Sequence, residues 1–105
     1  MSVPRKTVAL APDARLDFID ILLYTRRQWG EEQAHRDEAI LTAAIASLAD
    51  HPEAGMRRDH LFVGGRVRAV ERHLLLSQIG ETVIDVVRII HERADAGRHL
   101  GPRRP

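Results

Sequence analysis

Apolar positions divide the chain into two stretches of helical period followed by a strand-like one. Ala14, Phe18, Ile21, Leu22 and Thr25 fall at i, i+4, i+7, i+8 and i+11, one face of an amphipathic helix. Leu16, Ile19 and Leu23 form a second apolar line, so this helix is apolar over more than one stripe. Pro12-Asp13 opens it, with Asp13 placed to cap its first N–H groups, and Trp29-Gly30 closes it. A second helix is expected from about Glu31 to Ala49, where Ala34, Leu41, Ala44, Ile45 and Leu48 recur on one face. Two long helices joined so tightly form an antiparallel hairpin.

Ahead of the hairpin, KTVAL at 6–10 reads as a short strand. After it, DHPEAG at 50–55 is a loop on composition. Beyond that the period changes, and β-prone runs are interrupted by Gly64-Gly65 and by Gly80-Glu81. The second interruption is a hairpin turn between HLLLSQI and TVIDVVRII. The order is strand, helical hairpin, then three antiparallel strands. This predicts an α+β fold: a single sheet with two helices packed on one face. The other face would present Arg66, Arg68, Arg72 and Arg88, if alternation points them outward. From Glu92 the chain is polar, with Gly97, Gly101, Pro102 and Pro105, and residues 92–105 are expected to be a loose basic tail.

At 105 residues, one domain spanning 1–105 is expected. With 44% hydrophobic but only 4% aromatic residues, the core must be built from Leu, Ile, Val and Ala. A net charge of +1 argues against a bulk polyelectrolyte binder, so sequence-specific nucleic-acid binding is not expected. The absence of cysteine removes disulfides and thiolate metal sites and fits a reducing cytoplasm. The longest mostly apolar run, at 39–49, is too short to cross a bilayer, so no membrane partner is expected.

The histidines, at 35, 51, 60, 73, 91 and 99, include no pair at i, i+2 or i, i+4, so no metal site is expected. No Gly-rich phosphate loop opens a helix, no nucleophile elbow is visible, and no cofactor is implied. Arginine on the strands remains: Arg66, Arg68, Arg72 and Arg88, with His73 and His91. Such a set could bind phosphate by bidentate contacts. It could also cleave RNA without a metal, arginine stabilising charge at phosphorus while histidine moves protons. The plainer reading is solvated strand residues balanced by Asp59, Glu71 and Asp85. Arg88 stands apart: its neighbours are apolar, so its charge must reach water, a carboxylate or a partner.

Landmarks in order along the chain resemble one family. They are Ala14, Asp17, Phe18, Ile21 and Tyr24 in the first helix, Trp29-Gly30 at the turn, and Gln33-Ala34 in the second helix. His51-Pro52 and Gly55 follow, then Gly64, Arg66 and His73, and finally IDVVRIIH at 84–91 with Arg98-His99-Leu100-Gly101. The chain resembles the ParE branch of the RelE/ParE toxins of bacterial type II toxin–antitoxin systems, the plasmid stabilisation family. The resemblance implies a cytoplasmic toxin that inhibits DNA gyrase by binding and is neutralised by a ParD-like antitoxin. Leu16, Ile19 and Leu23, where the family more often has polar residues, are the expected antitoxin contacts. Arg66, Arg68, His73, Arg88 and His91 are the expected target contacts, with no catalytic residue.

The RelE branch offers the alternative, a ribosome-dependent mRNA endoribonuclease with Arg66, Arg88 and His91 as its catalytic group. The only tyrosine is Tyr24, and no lysine follows Lys6, which favours ParE. Gly65 and Ser77 stand where the family often has tyrosine, which removes packing and hydroxyls. A degenerate module that binds antitoxin without poisoning a target is therefore a third reading.

Overall fold

The structure, a computed structural model, describes residues 5–59 and 64–91. Strand β1 (Thr7–Leu10) leads into helix α1 (Pro12–Trp29) and helix α2 (Glu31–Ser47). Strands β2 (Met56–Arg57), β3 (Gly65–Val70), β4 (His73–Ile79) and β5 (Val83–His91) complete one sheet in the order β1-β5-β4-β3-β2. The last four pair antiparallel, whereas β1 lies parallel to β5 at the edge. The expected α+β arrangement holds, with one strand more than expected. The two-residue β2 is too short to carry a period, and only its pairing to Arg66 and Val67 reveals it. The tail expected at 92–105 lies outside the described residues.

Burial follows the predicted stripes. Ala14, Leu41, Ala44 and Leu48 from the helices meet Val70, Leu75, Ile84, Val86 and Ile89 from the sheet in one apolar cluster. Phe18 and Ile21 pack against it from α1. The helix boundaries depart slightly from expectation. Ala11 caps α1 with no side-chain hydrogen bond, and Pro12 holds the first helical position, where its missing N–H costs nothing. Asp13 therefore lies inside the first turn, where its charge complements the helix dipole instead of capping it. Helix α2 ends at Ser47 rather than Ala49. Among the described residues no helix is long and apolar enough to cross a membrane.

Alternation along β5 breaks once. Leu76 of β4 pairs with Arg88, but the next residue, Ser77, pairs with Val86, so Val87 is an extra residue in the ladder. This bulge lets Val86 and Ile89, three residues apart, both face the helices. A strict period of two would have sent one of them outward.

Gly30 and Gly55 hold backbone conformations that other residues rarely adopt. Gly30, between the helices, has φ 94° and ψ 173°, and its N–H donates to the Arg26 carbonyl. Gly55 has φ 94° too, and a Cβ there would lie 2.6 Å from the Val67 carbonyl oxygen. A Cβ at Gly30 would meet nothing within 4 Å. Gly30→Ala should therefore cost only backbone strain, about 1–3 kcal/mol. Gly55→Ala should cost more than Gly30→Ala, because it adds an overlap with backbone that cannot move aside. Urea unfolding of the two variants against the parent chain ranks them.

Candidate functional site

Arg88 has the most constrained surroundings of the candidate residues. Its side chain is 11% exposed and that of Asp17 6%. The guanidinium donates from Nε to Asp17 Oδ2 at 2.6 Å and from Nη2 to Oδ1 at 3.0 Å, a bidentate charge-assisted pair. The backbone N–H of Ile89 donates to the same Oδ2 at 2.9 Å. The topology explains the position. Strand β1 pairs with β5 only from Val83 to Val86, and the Ala11 N–H makes a last bond to the Val86 carbonyl as the chain turns into α1. Beyond Val86 that edge of β5 has lost its strand neighbour, and the Asp17 carboxylate takes the N–H of Ile89 in its place. Asp17 reaches it because it follows Ala14 by three residues, on the buried stripe of α1.

Arg68 and Arg66 are also drawn toward the helical side. Arg68 pairs in register with Leu75 and shares a face with Val70, both in the apolar cluster. Its Nη1 donates to Ser47 Oγ at 2.7 Å and to the Ala44 carbonyl at 3.3 Å, a cation bound at the C-terminal end of α2. Arg66 Nη1 donates to the carbonyls of Glu53 at 2.9 Å and Gly55 at 3.3 Å, tying down the loop after α2. The expectation that Arg66, Arg68 and Arg88 line the uncovered face is therefore corrected. Alternation from Val70 puts the first two on the helical side, and Asp17 holds the third.

His73 and His91 do come together. They pair across β4 and β5, with ring centroids 6.1 Å apart and ring planes at 81°. The hairpin turn before His73 puts Glu71 at φ 54°. Arg66, by contrast, pairs with Ser77, four residues along β4 from His73. At the strand rise that is about 13 Å. The trio Arg66, Arg88 and His91 is thus not gathered at one point.

The two histidines border a cavity of about 580 Å³ between the hairpin and the β3–β4 turn. Tyr24, Trp29, Arg36 and Arg72 also line it. Tyr24 and Trp29 are 62% and 65% exposed. The sequence singled out Arg72, His73 and His91 of this set, but not their meeting with Tyr24, Trp29 and Arg36, which lie on α1 and α2. The available signal was the placement of the chain's only tryptophan, at the tight turn between two helices. On α1, Leu16 and Ile19 are about half exposed. Ile19 and Leu23 border a second, smaller groove of about 250 Å³ with Ala34 of α2. Leu16 lies one turn before Ile19 on α1, outside the residues that line this groove. Among the described residues no group of three or more His, Asp or Glu side chains is placed to hold a metal ion.

A family model described as the ParE toxin of type II toxin-antitoxin system, parDE, matches residues 8–96. Toxin ParE1 of Caulobacter vibrioides is 33% identical over 96 residues, covering 91% of this chain and 99% of the relative. Toxin ParE of Escherichia coli is 36% identical over 96 residues, covering 90% and 92%. The structure of a chromosomal ParDE system from P. aeruginosa aligns with a TM-score of 0.73 over 85% of this chain and 98% of that one, at 17% identity. The toxin–antitoxin complex RelBE2 from Mycobacterium tuberculosis aligns at 0.55 over 85% and 99%, at 21% identity. These two likenesses are of fold.

Replacing Asp17 by Ala would leave a buried guanidinium without its carboxylate and the Ile89 N–H without its acceptor. The expected loss is about 3–5 kcal/mol, read by chemical denaturation. The double change Asp17→Leu with Arg88→Met should cost less than the Asp17→Ala change, because no buried charge is then left uncompensated.

Proposed function

The chain belongs to the ParE toxins of type II toxin–antitoxin systems, and we propose that it acts by binding DNA gyrase rather than by cutting RNA. The observation that carries this reading is the use made of the strand arginines. Arg88 is bound to Asp17, Arg68 to the end of α2 and Arg66 to loop carbonyls, so three of the four strand arginines that a phosphodiester cleavage would draw on already serve partners within the chain. A catalyst needs donors aimed at the charge that develops during reaction. A binding inhibitor needs only a surface of the right shape. In this reading His73 and His91, at the rim of the larger cavity, and the partly exposed flank of Arg66 are the target contacts.

A ParD-like antitoxin neutralises the toxin in this reading, and both partners place it in the cytoplasm. The antitoxin lays an apolar segment over Leu16, Ile19 and Leu23. The physics is that of a helix seated in a groove, where apolar anchors at helical spacing lose contact with water. The two structural relatives, a ParDE system and the RelBE2 toxin–antitoxin complex, and the half-exposed Leu16 and Ile19 on α1 support this pairing.

Toxin separated from its antitoxin and refolded should block supercoiling of relaxed plasmid by gyrase when present in molar excess. It should also leave message intact in a translating extract. Full supercoiling activity at high excess would overturn the gyrase reading. Ribosome-dependent cleavage of message would replace it with the endoribonuclease one, and growth unaffected by expression without antitoxin would point to an inactive antitoxin-binding module.

A further inference from the structure

The pairing of His73 with His91 is one that no spacing along the chain reveals. The spacings by which metal-binding histidines are recognised in a sequence look within one helix or one strand. Here the sheet brings the two together, as the opposed residues at one end of the β4–β5 ladder. Both belong to the helical side of the sheet, since Leu75 and Ile89, two residues further along each strand, lie in the core cluster. Strand pairing thus fixes the two backbone positions, and side-chain rotation sets the rest. His73 is half-buried and His91 exposed, so solvent reaches the pair.

We propose that His73 and His91 form a two-ligand site for a divalent transition-metal ion of the zinc type. Separation is the first argument. With a metal–nitrogen bond of about 2.0–2.1 Å, an imidazole centroid stands about 3.2 Å from the ion. Two rings on one ion then have centroids about 5.2 Å apart at the tetrahedral angle and up to about 6.4 Å at wider ones. The observed 6.1 Å lies within this span, and rotating either ring out of its edge-to-face contact brings a nitrogen of each toward one ion. Charge is the second argument. The cavity that the pair borders is lined by Asp20, Asp37 and Glu71 against Arg36 and Arg72, so its acids outnumber its arginines and it suits a cation. Ligand type sets the class of ion: imidazole nitrogen suits zinc, nickel and copper, whereas magnesium and calcium take oxygen ligands. Among the described residues no third His, Asp or Glu is placed to join the two. The ion therefore keeps positions open toward the cavity, for water or for a donor from a bound protein, and its binding is weaker than that of a closed four-ligand structural site. The inference concerns the chain alone and stands apart from the gyrase and antitoxin readings.

The test uses the full chain without antitoxin and zinc chloride as the probe, in a buffer that does not bind zinc, with affinity measured by calorimetry. His73→Gln and His91→Gln should each weaken zinc binding at least about tenfold, since loss of an outer-shell partner alone costs that much. His35→Gln, in the smaller groove, should leave it unchanged. Proton NMR reads the same event in the parent chain and needs no variant. Zinc should shift the imidazole signals of His73 and His91 and leave those of His35 and His51 in place. Zinc binding of equal strength in both glutamine variants, with the His73 and His91 signals unmoved, would overturn the proposal. So would a parent chain that gives neither heat nor a shift at millimolar zinc.

Discussion

The Asp17–Arg88 pair is the contact on which the packing of helix against sheet depends. It forms where β1 has left the sheet and β5 continues alone, at the one edge where a central strand would otherwise lose its neighbour. One carboxylate there satisfies both a backbone N–H and a guanidinium, so the first turns of α1 are fixed in rotation and height over β5. A buried ion pair adds little net stability, because desolvating two charges offsets most of their attraction. Its main effect is on specificity. Any other register of α1 on the sheet would strand two charges in an apolar setting. The bulge at Val87 belongs to the same arrangement, since it lets Val86 and Ile89 both reach the core on either side of that anchor.

The remaining strand arginines extend this pattern. Arg68 closes the C-terminal end of α2, where helix carbonyls lack partners, and Arg66 gathers the carbonyls of the following loop. A domain with so few aromatic residues has limited core area, and these cations cross-link its layers where side-chain packing alone would be thin. Guanidinium suits the task better than ammonium because its planar donors serve two acceptors at once. The functional consequence is that basic residues in the sheet are committed to the fold. What stays exposed lies outside the sheet, on the apolar line of α1 and on the aromatic walls of the cavity beside the hairpin turn.

Much of the fold was legible in the residues. The stripes at Ala14, Phe18 and Ile21 and at Leu41, Ala44 and Leu48 marked the buried faces of both helices, and Gly30 marked the turn between them. The Gly80-Glu81 break marked the last hairpin. These features are local, set by a period of 3.6 or 2 and by the conformations that only glycine tolerates. The exposure of Leu16 and Ile19 was legible for the same reason, because they lie off the main stripe.

Other features needed the tertiary structure, and the reason is distance along the chain. An isolated arginine in an apolar strand demanded a partner, but Asp17 lies 71 residues away, and no periodicity links the two. Asp17 did carry a faint sign, a carboxylate at i+3 on an otherwise apolar stripe. The bulge was invisible because alternation in a sequence assumes an unbroken ladder. Alternation along β3 is regular, but parity alone does not say which of its faces the helices cover, and that misplaced Arg66 and Arg68. The cavity was illegible for a related reason. Trp29, Arg36, Arg72 and the two histidines become one surface only when the hairpin folds over the sheet. The sequence by itself determined which elements form and which of their faces are apolar. Only the tertiary structure decided which charges are spent holding those elements together and which stay at the surface, because that depends on contacts between residues far apart in the chain.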